Sequence, residues 1–200
     1  MKRYTLQKKI LRFLYSSLFI VSLNLFFNCA YSVESKRGLD GFKHNVLNPM
    51  KNARVHANMG NVHFAEKKYI AALKEYEIAY NLAYNTQAAG SYLYNIARCF
   101  YVMQNYPLAK NAIEGAIKKD CINITYYQML IDCYLKLGTV EQELNKHLKD
   151  TTNPYNQVVA GLIYLKTDRK MEAKATLDDF VVKNPDMIIT DDVRVILNNI

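Results

Sequence analysis

The sequence predicts an all-α fold, a solenoid of about four helical hairpins with a short C-terminal capping helix. Three observations carry that expectation. One spacing recurs: a small residue, an aromatic or His three positions on, and an Ala twelve positions on. It reads Gly60, His63, Ala72, then Ala97, Phe100, Ala109, then Gly161, Tyr164, Ala173, with a degenerate copy at Ile131, Tyr134, Glu143. The anchors at 60, 97, 131 and 161 give periods of 37, 34 and 30 residues. A period near that length holds two helices and marks stacked repeats. Finally, no stretch of the 200 residues sustains the alternation of a strand.

The elements follow in order. The first repeat, residues 53–89, places His56, Met59, Gly60 and His63 on one helix and Ala72, Tyr76 and Ala79 on the next. The second, 90–123, has Leu93, Ile96, Ala97 and Phe100, then Ala109, Ile113 and Ala116. The third, 124–153, keeps Tyr127, Leu130 and Tyr134 and the turn glycine Gly138, but carries Ile131 and Glu143 at the small-residue and Ala positions. Its second helix is expected to end early, near Asp150, and Glu143 is expected to be dispensable. The fourth, 154–187, has Gln157, Ala160, Gly161 and Tyr164, then Ala173 and Leu177, closing at Pro185. These residues resemble the tetratricopeptide repeat, whose pattern runs W-x2-L-G-x2-Y, then A-x3-F, then P. The resemblance covers about residues 53–187 and rests on three units in phase. Tyr84 and Cys121 stand where the closing Pro is expected.

Small side chains at Gly60 and Ala72 would let the two helices of a hairpin approach closely. The turn chemistry agrees. Asn48-Pro49 reads as an N-cap followed by Pro at the first helical position. Gly138 would end one helix, and Thr139 to Gln142 reads as a capping box for the next. Thr151-Thr152-Asn153-Pro154 separates the third repeat from the fourth. Asp191-Asp192 suits a helix N-terminus, and Val193, Ile196 and Leu197 could lay that helix over the last repeat within residues 188–200.

Residues 1–32 have the layout of a signal peptide or membrane anchor. Lys2, Arg3, Lys8, Lys9 and Arg12 precede an uncharged, mostly apolar run from 13 to 33. Three fates stay open: cleavage after Ser32, lipidation at Cys29, or retention as an anchor. Leu25-Phe26-Phe27-Asn28-Cys29 resembles a relaxed bacterial lipoprotein box, which makes Cys29 the lipidation candidate. Each fate implies an exported protein, periplasmic or membrane-anchored in a bacterial envelope, with residues 33–52 as linker. Five of the net +8 charges lie in that leader, leaving about +3 (8 minus 5) for residues 33–200. Basic residues there alternate with acids, as in Glu66-Lys67-Lys68, so no nucleic-acid partner is expected.

The titratable residues form no catalytic pattern. His56 and His63 are two helical turns apart, ~10.5 Å of rise, too far to share a metal. Cys99 and Cys133 occupy the same place in successive units, about one helix spacing apart, and read as buried free thiols. No zinc spacing, nucleophile elbow or phosphate-binding loop is present. The expectation is no enzyme, no cofactor and no metal.

In tetratricopeptide proteins the first helix of each unit lines a concave surface. By that resemblance the partner-binding candidates are Asn61 and Phe64, then Tyr94, Arg98 and Tyr101, then Gln128 and Asp132. Spacing alone puts Tyr94, Arg98 and Tyr101 on one helical face. Some family members clamp a peptide carboxylate. Asn61 and Asn95 match that clamp's asparagines, but Ala57, Thr125 and Met129 replace its cations, so that ligand is not expected. Two functions remain. One is an envelope scaffold that holds a protein or peptide partner during assembly of a larger complex. The other is an accessory protein taking a small ligand or peptidoglycan fragment in the same groove.

Overall fold

The computed structural model describes residues 49–200, which fold entirely into helices and short turns. The expectations for the leader, for Cys29 and for the linker as far as Asn48 fall outside the described residues. Four helix pairs run in order: α1 (Pro49–Ala65) and α2 (Tyr69–Leu82), α3 (Ala89–Val102) and α4 (Tyr106–Lys119), α5 (Ile124–Leu137) and α6 (Val140–Lys149), and α7 (Tyr155–Lys166) and α8 (Lys170–Lys183). A ninth, α9 (Ile189–Leu197), follows. None of these is long and apolar enough to cross a membrane.

The repeat is written most plainly in the turns between paired helices. Each turn holds one residue in the left-handed region, seven positions after the anchor: Lys67 (φ 61°), Gln104 (φ 61°), Gly138 (φ 69°) and Asp168 (φ 59°). Each is clamped by the same two bonds. The following amide donates to the carbonyl five residues back, as Lys68 N to His63 O (2.8 Å), Asn105 N to Phe100 O (2.8 Å), Thr139 N to Tyr134 O (3.1 Å) and Arg169 N to Tyr164 O (2.8 Å). The left-handed residue's own amide donates three back, as Gln104 N to Tyr101 O at 3.0 Å. This Schellman pattern satisfies carbonyls that the helix end leaves open. Only the third unit uses glycine there. The others hold a straight-chain or short polar residue at an energetic cost.

Within each pair the small residue lies under a large one sixteen positions on. A Cβ at Gly60 would sit 2.6 Å from the Tyr76 ring, and one at Gly161 would collide with Leu177. In the second unit Ala97 and Ile113 take the same places, both fully buried. The third unit has no small residue at this place. Ile131 is fully buried, and the position opposite is His147, half-buried, with Nε2 3.4 Å from the Tyr134 hydroxyl.

The third unit departs from the others in two further ways. Its second helix has 10 residues against 14 in α4, ending at Asp150 as expected. Glu143 is engaged, where the sequence suggested an idle position. It is buried, and Lys110 of α4 donates to it at 2.8 Å, with Lys146 at 3.4 Å. Burial would raise its carboxyl, but the bond and charge of Lys110, then those of Lys146, hold it below the ordinary carboxylate value. The capping box does not form either. Thr139 makes no side-chain cap bond, and its buried hydroxyl has no partner among the described residues.

Cys99 and Cys133 are buried free thiols. Burial pushes them up to about 11 and about 12, so they remain protonated at neutral pH and act as small apolar residues. Helix α7 is buried along six consecutive residues, Val158 to Ile163. It packs against α5, α6 and α8, and α9 touches α8 and α5, the helices on either side of it. The C-terminal helix therefore lies over the last repeat and reaches across to the third.

Candidate functional site

The first helices of three units make a groove of about 500 Å³. α1 contributes Phe64. α3 contributes Tyr94, Arg98, Tyr101 and Val102, and α5 contributes Thr125, Gln128, Met129 and Asp132. Three- and four-residue steps along α3 aim Tyr94, Arg98 and Tyr101 at the same face. The structure thus brings together six of the sequence-named candidates: Phe64, Tyr94, Arg98, Tyr101, Gln128 and Asp132. Asn61 is not among the lining residues. It is exposed, and its Oδ1 accepts a bond from the Tyr76 hydroxyl at 2.8 Å. Sequence reasoning missed Val102 altogether and considered Thr125 and Met129 only as places where a clamp cation was lacking.

Arg98 stands at the centre. Its guanidinium carbon lies 4.3 Å from the Phe64 ring centroid and 5.9 Å from that of Tyr94. Stacking on rings keeps the group flat and leaves its edge donors available. It donates to Asn95 Oδ1 at 3.1 Å, and among the described residues no carboxylate is within ion-pair reach. Asp132 is different, because Lys166 of α7 neutralises it at 2.8 Å. The groove therefore offers a cation with spare donors beside half-buried rings.

The tyrosines divide into two roles. Tyr94 stacks on Tyr126 of α5 with centroids 5.3 Å apart, and Tyr126 is buried. Tyr94 is both groove wall and inter-repeat packing. Tyr101 is half-buried and makes an edge-to-face contact with Tyr106, ring centroids 5.3 Å apart. Burial, then the neighbouring Asp132 charge, raises its hydroxyl, so it remains a neutral donor at physiological pH.

A larger hollow of about 720 Å³ lies elsewhere, between α6 and α8. Its polar groups already bond to one another. Asp179 accepts from Gln157 and from Lys183, each at 2.6 Å, and Asp150 accepts from Thr152 and Asn156. It opens beyond the short α6, where the chain turns through Asp150 to Pro154. His56 is paired with Glu75 at 2.7 Å, and no group of residues suited to a metal ion occurs among the described residues.

Solved structures of similar fold carry the same repeat name. A tetratricopeptide repeat protein from Parabacteroides merdae is 16% identical at a TM-score of 0.48, with 74% of this chain and 59% of that one covered. The Arabidopsis OM64 TPR domain is 17% identical at a TM-score of 0.38, covering 76% of this chain and 98% of that one. YrrB, described as a TPR protein with an unusual peptide-binding site, is 17% identical at a TM-score of 0.42, covering 71% and 74%. No protein-family model matches the sequence, and no curated protein matches it. Likenesses this distant carry no argument about partners. The turn bonds and the small-under-large contacts describe the fold from within: a solenoid of helical hairpins.

Proposed function

We propose that the chain is a protein-interaction scaffold of the bacterial envelope, holding a segment of a protein partner in the groove from Phe64 to Asp132. The observation that carries this reading is Arg98, stacked on aromatic rings with no carboxylate partner, in a groove of half-exposed tyrosines. Tyr and Arg contribute most to binding surfaces because they supply apolar area and directional bonds at low entropic cost. The scaffold would reach its partner after export, with Cys29 or the uncut leader as the attachment, and intact-mass analysis separates these from cleavage after Ser32.

The test uses the full chain with Arg98→Ala and Tyr101→Ala combined. Tyr94 is left intact because its stacking on Tyr126 makes it part of the fold. Crosslinked capture of envelope proteins should weaken by at least about 2 kcal/mol, near thirtyfold. Lys74→Ala, exposed on α2 and outside the groove lining, should capture like the parent. Undiminished capture by the folded double variant overturns the reading. A peptidoglycan fragment that raises the melting temperature of the parent and not of the double variant would move the groove to small-ligand binding.

A further inference from the structure

We infer that the outer face of α1 pairs with the same face of a second copy of this chain, the two helices antiparallel about a twofold axis. The inference goes beyond the groove reading and does not use it. Three positions carry it: five before the anchor, one before it and two after it. In the second unit they hold Tyr92, Ile96 and Cys99, all buried. These pack on the unit before, Tyr92 with Ala53, Ala57, Ala79 and Ala83, and Ile96 and Cys99 with Ala72 and Tyr76. The third unit holds Tyr126, Leu130 and Cys133 there, again buried, and Tyr126 stacks on Tyr94 of the second. In the fourth, Ala160 and Ile163 are fully buried, and Asn156 bonds back to His147 at 2.8 Å. These positions are the face that each unit turns to the one before it.

The first unit keeps this face apolar and uncovered. It holds Val55, Met59 and Val62, exposed to 50%, 44% and 57%. Steps of four and three residues set them in one stripe, on the side of α1 away from its buried Ala53, Ala57 and Gly60 and from Phe64 of the groove. A solenoid end left to water is expected to be polar. The symmetry of the stripe selects its occupant. Val55 and Val62 lie equally far from the midpoint between residues 58 and 59, and so do Lys51 and Glu66, both exposed. A second α1 turned end for end about that point sets each Val55 on the copy's Val62 and each Lys51 on the copy's Glu66, with Met59 beside the axis. Glu66 continues the helical turn, its amide bonding to Val62 O at 3.0 Å. Lys68 pairs with its Oε2 at 2.9 Å, which leaves Oε1 for the copy. The same arrangement brings the N-terminus of each helix beside the C-terminus of the other. At the far end of the solenoid α9 already covers the last repeat, with Ile189 and Val193 fully buried. Copies therefore meet first helix to first helix, and the assembly closes at two.

Disulfide trapping under mild oxidation tests the register, using two differently tagged copies of the full chain. Cys121→Ser serves as background, since Cys121 is the exposed cysteine among the described residues. A Val55→Cys copy mixed with a Val62→Cys copy should give a mixed disulfide at least about tenfold above either copy with itself. Like positions lie seven residues out of register, ~10.5 Å, too far for the bond. Equal yields from mixed and single copies overturn the proposal, and so does a disulfide to another protein in place of the mixed one. Charge exchange supplies a second arm. Lys51→Glu copies, and separately Glu66→Lys copies, should co-purify with themselves at least about threefold less than the parent, because both pairs across the axis become repulsive. Mixing the two variants restores both pairs and should recover parental co-purification. Unchanged co-purification of the single variants, or no recovery on mixing, also overturns the proposal. All the substituted positions on α1 and its last turn are exposed, and Arg98 and Tyr101 are untouched, so failure here leaves the groove reading standing.

Discussion

Two repeat positions, three before the anchor and one after it, face the same way in every unit yet meet different fates. In the second and third units they hold Tyr94 and Arg98, then Gln128 and Asp132, and they line an open groove. In the fourth they hold Val158 and Leu162, which are almost fully buried. The backbone is the same hairpin in each case, closed by the same turn bonds. The difference is therefore one of side-chain chemistry: the polar and aromatic pair leaves an open surface, and the apolar pair is covered by the rest of the fold. A single repeat architecture thus leaves an open groove at one end and a closed face at the other.

The sharpest way to break this comparison is to exchange the chemistry. Val158→Asp should cost about 3–5 kcal/mol in chemical denaturation, because it leaves an unpaired charge in a dry site. Asp132→Val at the other end should stay within about 1 kcal/mol of the parent, since its pair with Lys166 is half-exposed. Equal costs would mean that the two ends do not differ as described. Ala109→Leu tests the tight hairpin of the second unit, where Ala109 is fully buried. Overpacking should cost about 1–3 kcal/mol.

Smaller effects test the third unit. Glu143→Ala should cost about 1–2 kcal/mol, because it removes the nearer partner of the half-buried Lys110 and leaves only the looser pair with Glu114 at 3.8 Å. Its carboxyl is held below the ordinary 4.5, so the folded state binds its proton more weakly than the unfolded chain. The contribution is therefore full above that value and is lost as pH falls through the lower folded-state value. The stability gap between parent and Glu143→Gln should close on acidification, and a gap independent of pH would contradict the pairing. At the turns, Gln104→Gly should stabilise by about 0.5–1 kcal/mol, and Gly138→Ala should destabilise by a similar amount. Denaturant midpoints measure both.

Much of the fold was legible because a repeat states its pattern several times. The anchors Gly60, Ala97 and Gly161 gave the phase, and a phase fixes which face each later residue occupies. That is why six of seven groove candidates converge in the structure. Asn61 fell outside because its amide is engaged by Tyr76, a bond between hairpin partners that spacing along one helix does not reveal. The pairing of Glu143 was missed for a related reason. Its partner Lys110 lies on a helix of the preceding unit, and no local pattern links them. The left-handed places at Lys67, Gln104 and Asp168 were hidden because only Gly138 advertises such a turn by residue type. The reach of α9 to α5 was likewise unreadable, since an apolar stripe says that a helix is covered and not by what.

The central claim is that partners enter the groove of the second and third units. Site-specific photocrosslinking in living cells tests it most directly, with the reactive side chain placed at Tyr101 in one strain and at Lys74 in another. The account predicts a discrete protein adduct from position 101 and none from position 74. Adducts from position 74 alone, or from both positions alike, would contradict it.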